Sequence, residues 1–168
     1  MIAVVSAVTD LKFGKIFNWV TFPGMALGVI LSMIQAGPSG AGTAILGAVI
    51  AFGIFSWMFF LGYMGAGDVK LLMAFGALGG IRYVVHVGIL SILIGGAFAA
   101  VILIWRGRFR EFVNKLVTSA MTFLLKDLKP QFPVVDKKLR MAFGVPIAIA
   151  AIWAWYGNPL EGWLSINF

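Results

Sequence analysis

Three runs of this 168-residue chain, Ile16–Ala36, Ala41–Gly62 and Tyr83–Trp105, contain no Asp, Glu, Lys or Arg, and a fourth, Met141–Gly157, is equally uncharged. A helix that crosses a bilayer needs about 20 predominantly apolar residues, within a range of about 17–25. All four runs reach that length. In hydrocarbon every backbone N–H and C=O must be paired within the protein, which leaves helices and closed barrels. Runs that are apolar throughout, with no alternation, select helices. Composition agrees. The chain is 61% hydrophobic and 11% charged, with a mean hydropathy of +1.01. A soluble domain carries about 45–50% apolar and about 25% charged residues. An ordinary soluble globule, a disordered tail and a collagen-like repeat are excluded.

Two further segments are apolar but short. Met1–Thr9 covers about half the hydrocarbon at about 1.5 Å per residue. It lacks the charged start and small-residue cleavage site of a signal peptide. It reads as the end of a spanning helix whose start is missing. Val69–Gly80 predicts a helix of about three turns that enters the membrane and is buried by protein. The expected architecture is therefore all-α: a polytopic integral membrane protein of about six membrane helices, two of them short, in a single transmembrane domain over residues 1–168.

The cations orient it. Of the 13 Lys and Arg, nine lie between Arg106 and Arg140. Placing that stretch in the cytoplasm puts Lys12, Lys15 and Lys70 there too, and leaves Arg82 on the far side, as the positive-inside rule requires. The net charge of +7 thus reports cytoplasmic loops rather than nucleic-acid binding. Within 106–140, Phe109, Phe112, Val113, Leu116, Val117, Ala120, Phe123 and Leu124 recur at helical spacing. This predicts a basic amphipathic helix lying in the interface or packed on the protein, broken by Pro130 and Pro133. Trp153, Trp155 and Tyr156 close the last run as an interfacial belt. Cysteine is absent and His86 is the only histidine. No disulfide, thiol nucleophile, metal site or cofactor is expected.

The six acids separate into two groups. Glu111, Asp127, Asp136 and Glu161 lie in polar or basic surroundings and read as solvated charges. Asp10 and Asp68 stand at the ends of apolar segments, where an acid costs free energy and needs a reason to persist. The topology brings both to the cytoplasmic side. Two carboxylates a few ångströms apart share a proton and titrate as a pair. The ionised member can take a proton from water while the protonated member bonds a scissile carbonyl. Such chemistry needs neither metal nor thiol. Asp68 follows Gly65-Ala66-Gly67, a run that permits close backbone approach and delivers the acid at a helix start. The plain alternative is a Gly-rich turn with an Asp cap. Lys12 and Lys70 each follow an acid by two positions, either snorkelling to headgroups or tuning the pair. Asn18 is expected to cap the second helix, with orientation of Asp10 the other option. The small-residue stretches Gly47–Gly53 and Gly95–Ala100 suit close helix packing.

These residues resemble the type IV prepilin peptidase family of membrane aspartic proteases. The family places an Asp at a helix end before a short basic stretch and Ile-Pro-Asn; here it reads Asp10-Leu-Lys-Phe-Gly-Lys-Ile16-Phe17-Asn18. Its Gly-x-Gly-Asp-Val-Lys motif is matched by Gly65-Ala66-Gly67-Asp68-Val69-Lys70. The segment Ala142-Phe143-Gly144-Val145-Pro146-Ile147-Ala148 is similar to its closing Pro-containing helix. The resemblance implies that Asp10 and Asp68 are the catalytic pair. It also implies that the substrate is a prepilin or pseudopilin, whose basic leader is cut at the cytoplasmic face before a hydrophobic helix held in the bilayer. Phe17 departs from the family's Pro and is expected to let the second helix start a turn earlier. Without cysteines or room for a cytoplasmic domain, the chain looks like the short branch that accompanies tight-adherence pili, and peptidase activity without methylation is expected. Two rivals are a presenilin-like GxGD protease cutting within the bilayer and a non-enzymatic proton or cation pathway.

Overall fold

The computed structural model describes residues 1–62, 64–105 and 143–157, together with residues 107, 110, 113, 114, 117 and 118. The described residues are helical, in the order α1 (Ile2–Phe13), α2 (Asn18–Phe60), α3 (Ala66–Trp105) and α4 (Gly144–Tyr156). At 43 and 40 residues, α2 and α3 are long and apolar enough to cross a membrane. Neither is continuous. In α2, Gly37 has φ of 65° and is followed by Pro38; in α3, Gly80 has φ of 75°. A glycine in the left-handed region ends a helix, and a proline just beyond cannot continue it.

The chain folds back at both breaks. Gly24 and Gly28 lie against Ala74 and Ala77, so residues 18–36 run alongside residues 66–79 in the same direction. Gly47 lies against Gly76, and residues 52–60 lie beside residues 66–73, so residues 38–60 run the opposite way. Gly88 meets the Phe55 ring while Gly47 nears Gly80, which turns residues 81–95 back again. The helical stretches 18–36, 38–60, 66–79 and 81–105 follow the apolar runs expected from sequence within a few residues.

Two compact units are present, residues 1–95 with 142–168, and residues 96–141. In the first, small residues set the packing. Val20, Thr21, Gly24 and Gly28 form one buried stripe of α2, and Gly40, Ala44, Gly47, Ala51 and Phe55 form another. A Cβ on Gly47 would collide with the Gly76 carbonyl oxygen, so backbone meets backbone there. Such approach lets dispersion and weak Cα–H contacts hold helices where no hydrophobic drive exists between them. The surrounded element is residues 66–79, in which Val69, Leu71, Leu72, Ala74, Phe75, Gly76 and Ala77 are all buried. The outer faces stay apolar: Trp19, Phe22, Leu31, Ile34, Trp57 and Phe60 are exposed. A continuous apolar exterior of this extent marks a membrane-facing surface.

In the second unit, residues 110, 113, 114, 117 and 118 are helical and exposed, and the Thr118 hydroxyl donates to the Asn114 carbonyl at 2.8 Å. The rest of the expected amphipathic segment at 106–140 lies outside the described residues.

Candidate active site

Asp10 sits inside α1, not beyond it. The helix runs on to Phe13 and ends at Gly14, whose φ of 60° lets its N–H return to the Asp10 carbonyl at 2.8 Å. One face of α1, Ala3, Ser6 and Asp10, is buried, and α1 packs against α4. Asp10 is 7% exposed. Its Oδ2 accepts the Gly144 N–H at 2.7 Å. Gly144 opens α4, whose N-cap residue Phe143 supplies no side-chain acceptor. The first N–H groups of a helix have no partner within it. Asp10 supplies one from across the fold, and the positive end of the helix dipole favours its charge against the cost of burial. Residue 144 has little choice but glycine, because a Cβ there would stand 2.7 Å from that same carboxylate oxygen.

Asp68 is held locally. It occupies the third position of α3, where its backbone N–H returns to the Gly65 carbonyl at 3.1 Å. Its Oδ2 accepts the Gly65 N–H at 2.9 Å. This is the acidic half of a capping box, the N3 side chain reaching back to the N-cap N–H. The acid is therefore one turn further along than a simple Asp cap. It is 8% exposed.

Ile16 connects the two corners. A Cβ on Gly67 would approach Ile16 Cβ at 3.0 Å and its carbonyl oxygen at 3.3 Å; a Cβ on Gly144 would approach Ile16 Cδ1 at 3.1 Å and Asp10 Cβ at 3.1 Å. The residue before Asp68 and the N–H donor of Asp10 thus pack on one isoleucine. The end of α1 and the starts of α3 and α4 meet there, each acid bound to the N–H of a helix start.

The remaining expected residues divide. Lys70 donates from Nζ to Asn18 Oδ1 at 2.9 Å and lies over the Phe22 ring at 5.4 Å from its centroid. Lys12 is exposed in the last turn of α1, where a cation suits the helix dipole. Asn18 does not cap α2. The N-cap is Phe17, with no side-chain hydrogen bond, and the Asn18 side chain is engaged by Lys70. Nor does α2 start a turn early. Phe17 takes φ of −80° and ψ of 141°, an extended entry that leaves Asn18 as the first helical residue. Its ring packs edge-on against Phe13 at 5.6 Å, which gives the aromatic side chain a place that a proline would leave empty. His86 is buried, with Nδ1 2.7 Å from the Arg82 carbonyl.

Three contributors were not singled out from sequence: Gly144, Ile16 and Phe22. Gly144 stands in the Phe-Gly-Val-Pro segment, whose glycine two residues before a helix-starting Pro was the available signal. Ile16 stands in the Ile-Phe-Asn match to the family motif, which was its available signal, whereas Phe22 looks like any apolar residue of a membrane segment.

The profile of the type IV leader peptidase family matches residues 1–100, which contain both acids and both of their motifs. No curated protein and no solved structure matches the chain.

Proposed function

The chain belongs to the type IV leader peptidase family, and we propose that it is a membrane aspartic endopeptidase in which Asp10 and Asp68 activate one water molecule. It is a protease by family and a membrane protein by its apolar helices. The observation that carries the finer reading is that two buried acids from separate segments each accept a backbone N–H, while the residue before one and the N–H donor of the other pack on Ile16.

In this reading the ionised carboxylate takes a proton from water as the oxygen attacks the scissile carbonyl. The protonated partner donates to the carbonyl oxygen, and the tetrahedral intermediate forms without a covalent link to the enzyme. Collapse breaks the C–N bond, and the departing amine takes a proton back from the pair. The substrate is a prepilin-like protein with a basic leader and a hydrophobic helix. In this reading the helical segments cross or enter the bilayer with both acids toward the cytoplasmic face, where the leader emerges; the concentration of Lys and Arg in residues 106–140 supports that orientation. The acids' position in end turns, with the site at one end of the helices, favours cutting at the surface over cutting at mid-bilayer.

The test is processing of pilin precursors from the same genome by membranes holding the intact chain, Asp10→Asn or Asp68→Asn. The intact chain is expected to release the leader and each variant to leave the precursor uncut. Full cleavage by either variant overturns the assignment.

A further inference from the structure

Beside Asp68, with Ala66, Val69 and Lys70 in its lining, the first unit carries a groove of about 310 Å³. Phe22 and Met25 form one wall, Phe52 and Phe59 a second, and Val69 and Met73 the floor. The exposed rings of Phe22, Phe52 and Phe59 edge it, so it opens sideways onto the apolar exterior. Its wall is apolar, and the Lys70 stem belongs to that wall. The Lys70 ammonium is fixed at 2.9 Å from Asn18 Oδ1 and 5.4 Å from the Phe22 centroid. An ammonium has three donors and Asn18 takes one; with its oxygen engaged, the Asn18 amide keeps its own N–H donors for another acceptor. Lys70 thus belongs to the lining of an apolar slot, and its ammonium sits beside the Asn18 amide and the Phe22 ring.

We propose that this groove seats an acyl chain of an anionic phospholipid, with the lipid phosphate on Lys70 and the Asn18 amide. Charge selects this occupant over an apolar helix. A helix entering here would bring its positive N-terminal dipole, and any basic leader before it, toward Lys70. A phosphate brings the opposite charge. Lys70 follows Asp68 by two residues on one helix, so a lipid seated on it would border the site from the membrane side.

The experiment compares lipid retention by the full-length chain, purified in neutral detergent and examined by native mass spectrometry with phosphatidylglycerol or phosphatidylcholine added. One phosphatidylglycerol per chain is expected to remain, preferred over phosphatidylcholine by about fivefold, the ratio a single cation supplies at an anionic surface. Lys70→Met should abolish that preference, Lys70→Arg should keep it, and Ser56→Phe, which fills the groove, should release both lipids. Equal retention of the two lipids by the unaltered chain overturns the proposal. So does a preference that survives both Lys70→Met and Ser56→Phe. Capture of a prepilin-like peptide, instead of lipid, by a photoreactive group at residue 59 would assign the groove to substrate and also overturn it. These readouts need no cleavage, so loss of the proteolytic assignment would leave the lipid result standing, and the reverse.

Discussion

Asp10 and Asp68 are alike in burial and in accepting a backbone N–H, yet they are held in opposite ways. Asp68 bonds to Gly65, three residues back, within the first turn of α3. Asp10 bonds to Gly144, 134 residues away, and its position exists only when α1 has docked on α4. The first corner is local chemistry and the second is tertiary structure. One acid of the pair is thus delivered by its own helix, while the other waits for the last described helix. The proposed site therefore requires α1 docked on α4.

The largest expected effect ignores this asymmetry. Asn in place of either acid removes proton transfer but keeps an amide oxygen able to accept the helix N–H. Both variants should therefore fold and both should lose leader cleavage below detection. The comparison breaks if one variant retains substantial turnover, since a dyad cannot run on one carboxylate.

Alanine exposes the difference. Asp10→Ala leaves the Gly144 N–H buried without a partner and loosens α1 from α4, at a cost of about 1–3 kcal/mol. Asp68→Ala removes the acidic half of a capping box at a cost of about 0.5–1 kcal/mol. Unfolding in mixed detergent, followed by circular dichroism, should rank Asp10→Ala as the less stable of the two, with Asp10→Asn near the unaltered chain. Equal losses would mean that the α1–α4 junction rests on packing alone.

Next in size are the glycines that face the acids. A methyl at residue 144 would lie 2.7 Å from Asp10 Oδ2, against 3.0 Å from Asp68 Oδ2 for a methyl at residue 65. The first is inside any real contact distance, and the carboxylate it meets is buried. The second is tight, but a short turn can give way. Gly144→Ala should lower kcat/KM about 100-fold, as a displacement of about 1 Å in a catalytic group does, and Gly65→Ala by less. Steady-state cleavage of a leader peptide measures both. A larger loss at residue 65 would reverse the assignment of rigid and yielding corners.

What could be read in advance follows the same division. The helical stretches were legible because uncharged runs bounded by Gly or Pro mark them without reference to tertiary contacts. Asp68 was legible for the same reason, since Gly65-Ala66-Gly67-Asp68 contains both partners of its hydrogen bond. The Asp10 to Gly144 bond was not, because nothing near Asp10 announces an acceptor needed by a helix start so far along the chain. Asn18 misled for a related reason. An Asn at a helix start is a good cap when only local partners compete, but Lys70, 52 residues on, takes its side-chain oxygen. Phe17 misled in the other direction, since a departure from Pro was expected to change the backbone and instead changed only what fills the space beside it.

That last point gives the smallest prediction and a direct check on the Asp10 corner. Phe17 holds φ of −80°, within the range that a proline ring imposes, about −65 ± 15°. Its carbonyl accepts from Val20 and Thr21, a role that proline keeps. Phe17→Pro should thus preserve the entry into α2. Restricting the unfolded chain should add about 0.4–1 kcal/mol, while loss of the edge-on contact with Phe13 removes about 0.5–1.5 kcal/mol. The two nearly cancel, so the unfolding midpoint should barely move and leader cleavage should persist. A marked fall in cleavage with an unchanged midpoint would show that the Phe13–Phe17 contact, and not the backbone angle, aligns the loop that carries Ile16 between the two acids. The tolerance of Phe at this position would then be a matter of side-chain packing.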